Sequence, residues 1–112
     1  MQIKIKNKEI ELRFGVKFVR ALDAHAGVDA NGLSFGMGLA KAIPSLKMCD
    51  PATLSDVIYC AASTVQMGRP SVDDIDDYID NYDGDLEKLF DEVYKEIQQA
   101  TALKTALKNM TA

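Results

Sequence analysis

One histidine, two cysteines and a dense run of aspartates are the side chains here with chemistry to offer. A cysteine nucleophile works as a thiolate beside a base, so Cys60 with His25 is the pairing to weigh. Cys49 has an acid, Asp50, beside it rather than a base. No nucleophile motif surrounds either cysteine. Cys60 also falls next to an apolar helical stripe, where a thiol behaves as a small hydrophobe. A structural zinc asks for about four Cys or His ligands, more than this chain can supply alone. The carboxylates from Asp73 to Glu87 invite a calcium site instead. An EF-hand loop puts glycine sixth and oxygen ligands first and twelfth. Gly84 in sixth place would make Ile79 first and Phe90 twelfth, and neither side chain can hold a hard cation. Asp73/Asp77 and Asp76/Asp80 are spaced as solvated helix pairs are, whereas general-acid work needs a desolvated cleft. The glycines at 32, 36 and 38 do not fit GxGxxG, and no Gly-Lys-Ser/Thr follows, so no phosphate cradle is indicated. The residue types point away from catalysis, metals and cofactors. They point to a protein that acts by contact.

The elements that would carry such contacts can be read from periodicity. At 112 residues the chain suits one domain with a modest core. Its 47% hydrophobic and 27% charged residues argue against wholesale disorder. No apolar run reaches the ~18 residues of a membrane span. Met1 to Lys6 alternates apolar and charged residues, unlike a signal peptide. A cytoplasmic protein without a membrane partner is expected, and disulfides do not suit that compartment. Charge is uneven: residues 1–70 carry a net +3 and residues 71–112 a net −7. The acidic half would repel phosphate backbones, so no nucleic-acid partner is expected.

Ile3, Ile5, Ile10, Leu12 and Phe14 alternate with charged residues, interrupted at Asn7-Lys8. This predicts a β-hairpin with strands over about 2–6 and 9–14. Its greasy face must rest on helices or on another strand. Phe18, Val19, Leu22 and Ala26 share one face of a helix from Val16, with His25 in its last turn as a boundary residue. Residues 27–38 read as a loop with Leu33, Phe35 and Met37 as apolar anchors. A short helix from Leu39 to Ile43 would then resume past Pro44 to Met48. Asp50-Pro51 is a strong helix start. Leu54, Val57, Ile58, Ala61, Ala62 and Val65 follow as the best amphipathic stripe, ended by Gly68-Arg69-Pro70. Ser71 with Asp74 makes a capping-box start for a helix bearing Ile75, Tyr78, Ile79 and Tyr82. Asp85 caps a longer one with Leu86, Leu89, Phe90, Val93 and Ile97 on one face. Leu103, Leu107 and Met110 lie at helical spacing on a weakly specified last helix. The fold class expected is α+β, mainly α: a hairpin over about 2–14, then four to six helices in one compact domain. Residues 1–98 form its globular part and 99–112 a helical or frayed tail.

The order of these segments resembles the small tail assembly chaperones of long-tailed phages and prophages of Gram-positive bacteria. The similarity runs over residues 3–98. Glu11-Leu12-Arg13-Phe14-Gly15, Phe18 to Asp23, Asn31 to Leu39, Pro44 with Leu46, and Leu54 to Ala62 carry it. Arg69-Pro70, Ile75-Asp76-Asp77-Tyr78 and Leu89 to Val93 complete it. The resemblance implies a role in tail morphogenesis: binding the aggregation-prone tape-measure protein, recruiting tail-tube subunits, and absence from the finished particle. It also implies a longer form of the chain made by a −1 frameshift, and leaves room for a homo-oligomer. Leu107-Lys108-Asn109 can be encoded by the slippery heptamer A-AAA-AAC. The family brings no catalytic residues. For a partner-facing surface the candidates are Leu103, Leu107 and Met110, against simple packing of a last helix. Phe35 and Met37 are the second candidates, against core packing. Rival roles are a head–tail connector or tail component retained in the virion, and a small non-phage adaptor.

Overall fold

The computed structural model describes residues 1–25 and 37–111, the last three of these by backbone alone. Strands β1 (Gln2–Ile5) and β2 (Lys8–Glu11) pair antiparallel, with Ile3 opposite Ile10 and Ile5 opposite Lys8. The connection is Lys6-Asn7, one residue earlier than expected, with φ of 52° and 63°. Positive φ at both central residues gives a turn whose twist matches that of the strands. Either register would have kept the isoleucines on one face. Backbone bonds beyond the strands accompany the one found. The Leu12 N–H donates to the Met1 carbonyl at 2.8 Å, and the Arg13 N–H to the Ala61 carbonyl at 2.9 Å. Strand β2 ends at Glu11 rather than 14, because past Leu12 the backbone bonds to a helix end instead of to β1.

Among the described residues six helices follow: α1 (Val16–His25), α2 (Met37–Lys47), α3 (Pro51–Ala61), α4 (Val72–Asp80), α5 (Leu86–Gln99) and α6 (Thr101–Thr111). The observed class is the expected hairpin plus helical body. Three starts are built from local caps. Asp50 Oδ1 accepts from the Ala52 amide at 3.0 Å, and Asp85 Oδ1 from the Glu87 amide at 3.0 Å. Ser71 and Asp74 bond reciprocally, each at 3.1 Å. Each cap satisfies amides that a first helical turn leaves without partners.

Two elements depart from the periodicity. Helix α2 starts at Met37 and runs unbroken through Pro44, although that residue has no N–H to give the Ala40 carbonyl. Leu39 and Ala42 before the proline and Leu46 after it are all buried, and this packing holds both halves in line. Helix α3 stops at Ala61, well short of Gly68, where the Arg13 amide takes the Ala61 carbonyl. The core stripe survives the shortening: Leu54, Val57, Ile58, Ala61 and Ala62 have no measurable exposure. Around it gather Ile3, Ile5, Ile10 and Leu12 from the hairpin and the apolar faces of all six helices. The radius of gyration, 13.4 Å, is that of a compact chain of this length.

Candidate functional site

Helices α2, α5 and α6 each turn one face to the core and leave a second face beside it. On α2, Leu39, Ala42 and Leu46 are buried. Ala40, Ile43, Pro44 and Lys47 recur at i, i+3, i+4 and i+7 one step round the helix. On α5, Val93 and Ile97 are in the core, which sets Tyr94 and Gln98 on the flank. On α6, Leu103 is 1% exposed, and Lys104, Leu107 and Lys108 follow on the adjoining face. These second faces line one groove of about 550 Å³. Its apolar part is Ala40, Ile43, Pro44 and Leu107, with Ile43 and Leu107 half-buried. Lys47 stands on the α2 wall and Lys104 and Lys108 on the α6 wall, and among the described residues no carboxylate side chain lines the groove. Lys47 Nζ lies 5.6 Å from the Tyr94 ring centroid, a cation–π contact joining α2 to α5.

The residues proposed from sequence as partner-facing separate here. Leu107 lines the groove, while Leu103 belongs to the core and anchors α6. Met37 opens α2 and is 47% exposed. Phe35 and the Met110 side chain lie outside the described residues. Sequence reasoning missed Ile43, Lys47, Tyr94 and Lys104. For Ile43 and Lys47 the signal was a second helical stripe on α2, obscured by splitting that helix at Pro44; Tyr94 and Lys104 each directly follow a core residue, Val93 on α5 and Leu103 on α6.

A polar cluster joins the end of α1 to α3 and the segment after it. His25 Nε2 is 2.9 Å from Asp56 Oδ1, and the His25 ring is 5.5 Å from that of Tyr59. The Arg69 guanidinium lies 3.9 Å from the Tyr59 ring centroid and donates to the Tyr59 carbonyl at 2.8 Å. These are tethers between elements. The Cys60 thiol is pushed up to about 12, first by burial and then by the Asp56 charge, so it does not supply a thiolate at neutral pH. Among the described residues no group of three or more His, Cys, Asp or Glu could hold a metal ion. No described helix is long and apolar enough to cross a membrane.

The family model of the phage tail assembly chaperone protein matches residues 2–111. The chain belongs to that family. The match takes in the hairpin and all six helices, so α6 and the groove it borders fall within the family's own span. Membership in a chaperone family accords with a non-enzymatic role and with tail proteins as partners in general. No curated protein and no solved structure matches the chain.

Proposed function

We propose that this family member binds the tape-measure protein in the host cytoplasm, keeps it soluble, helps recruit tail-tube subunits around it, and leaves before the virion is complete. The observation that carries the reading is the α2–α5–α6 groove, whose lining sets Ala40, Ile43, Pro44 and Leu107 among lysines. A groove of this kind suits an apolar stripe on another polypeptide, the mode by which helical clients are held. Leu107 is the residue chosen from sequence that lies in it, and exposed Met37 at the start of α2 is a second apolar contact. Phe35 and Met110 remain candidates for extending that surface. A longer frameshifted form of the chain, whose shift would fall at Leu107-Lys108-Asn109, would be a further partner. An AAG codon for Lys108 would remove the heptamer assumed for that shift.

The test is co-expression with the tape-measure protein encoded beside the chain. The reading expects the tape-measure protein to become soluble and to co-purify with this chain. A tape-measure protein that stays insoluble, or is soluble alone, overturns it. Mass spectrometry of purified particles tests the departure: abundant peptides of this chain would make it a structural tail component.

A further inference from the structure

We infer that the groove between α2, α5 and α6 takes a helical protein segment whose apolar stripe is flanked by carboxylates. The inference rests on the client-binding reading above and specifies the chemistry of the client segment. Residues 71–112 contain only four basic side chains against eleven acidic ones. Two of those four, Lys104 and Lys108, line this groove, and Lys47 faces them from α2. A basic rim is thus assembled where α2, from the net +3 stretch 1–70, meets the acidic stretch 71–112. Between the cations the lining is Ala40, Ile43, Pro44 and Leu107. Apolar side chains inserted there would be flanked on both sides by positive charge. Complementary carboxylates on the partner would select and orient it more than they would strengthen it.

Other occupants fit less well. A nucleic acid would meet the net −7 of residues 71–112, which supply two of the groove's three helices. A second copy has a carboxylate-rich helix to offer in α4, but Ile75 and Ile79 of that helix are 0% and 6% exposed in its own core. It therefore presents charge without a free apolar stripe. The volume of about 550 Å³ suits a few side chains from one helix face.

The test uses the full chain and two labelled helical peptides, read by fluorescence anisotropy. One peptide carries a leucine stripe flanked by glutamates, and the other has lysine at each glutamate position. The glutamate peptide should bind at least about tenfold more tightly, and its affinity should fall as salt is raised. The double variant Lys47→Glu/Lys104→Glu should abolish or reverse the preference. Both lysines are exposed, so the fold should persist; the milder Lys47→Gln/Lys104→Gln serves if it does not. Equal binding of the two peptides, binding of neither, or an unchanged preference in the folded variants overturns the inference. So does wild-type self-association that the variants abolish, which would assign the groove to a second copy. Co-purification of the tape-measure protein is a separate readout. If it holds while the peptides are not discriminated, only this inference falls. If the peptides are discriminated but the tape-measure protein is not rescued, the client reading falls.

Discussion

A Cβ placed on Gly38 would stand 2.9 Å from the carbonyl carbon and oxygen of Leu22, so α2 begins with its backbone pressed against that of α1. The Gly38 amide donates to Asp23 Oδ1 at 2.8 Å, which lets a residue of α1 cap α2. The glycine that failed as part of a phosphate loop is a packing glycine. Gly38→Ala should destabilise the fold by about 1–3 kcal/mol, because neither backbone can yield without moving its helix. Urea unfolding should show a lower midpoint at unchanged slope. A variant as stable as wild type would show that the two helices separate easily.

Leu103 decides whether α6 is a tail or a wall. It is 1% exposed and joins the common core. Leu103→Ala should therefore cost about 2–5 kcal/mol, read by the shift in thermal midpoint. A loss within about 0.5 kcal/mol, the range of an ordinary surface change, would return α6 to the status of a loose appendage.

Helix caps should answer in the ordinary way. Ser71→Ala removes the hydroxyl that receives the Asp74 amide, and a loss of about 1 kcal/mol is expected in chemical denaturation. Asp85→Ala should behave alike at the start of α5.

Lys6 Nζ lies 2.6 Å from Asp74 Oδ1 and ties the hairpin turn to α4. The hydrogen bond from Lys6, followed by that from the Ser71 amide, holds the Asp74 carboxyl below its ordinary 3.8. Stability from a lowered carboxyl is full above the unfolded value and is lost as pH falls through the folded one. The same contact raises Lys6 above 10.5, so its share is full below that value and is lost as pH rises through the raised one. The difference in thermal midpoint between wild type and Lys6→Ala should shrink once pH drops below 3.8. A difference that stays constant into strong acid would remove Asp74 as the partner.

The two thiols should react unequally. Cys49 is exposed, whereas Cys60 is buried and its thiol is pushed up to about 12. A thiol reagent at neutral pH should modify one cysteine in the folded chain and both in denaturant. Rapid reaction of both without denaturant would show that α3 opens readily.

Much of this protein is written within a few residues of chain. Asp50, Ser71 and Asp85 announce helix starts because a cap acts on amides two or three positions away. The stripe from Leu54 to Ala62 is legible because a helix repeats its face every turn. Tertiary structure decided what periodicity leaves equal. Two hairpin registers both hide Ile3, Ile5 and Ile10, and the register found carries the Leu12–Met1 and Arg13–Ala61 bonds. Pro44 argues locally for a break, yet burial on either side of it keeps α2 whole. Leu103 and Leu107 are one turn apart and alike in type, yet one is core and the other lines a groove. The sequence marks both as apolar, but which neighbours reach them depends on α2 and α5, helices brought to α6 only when the chain folds.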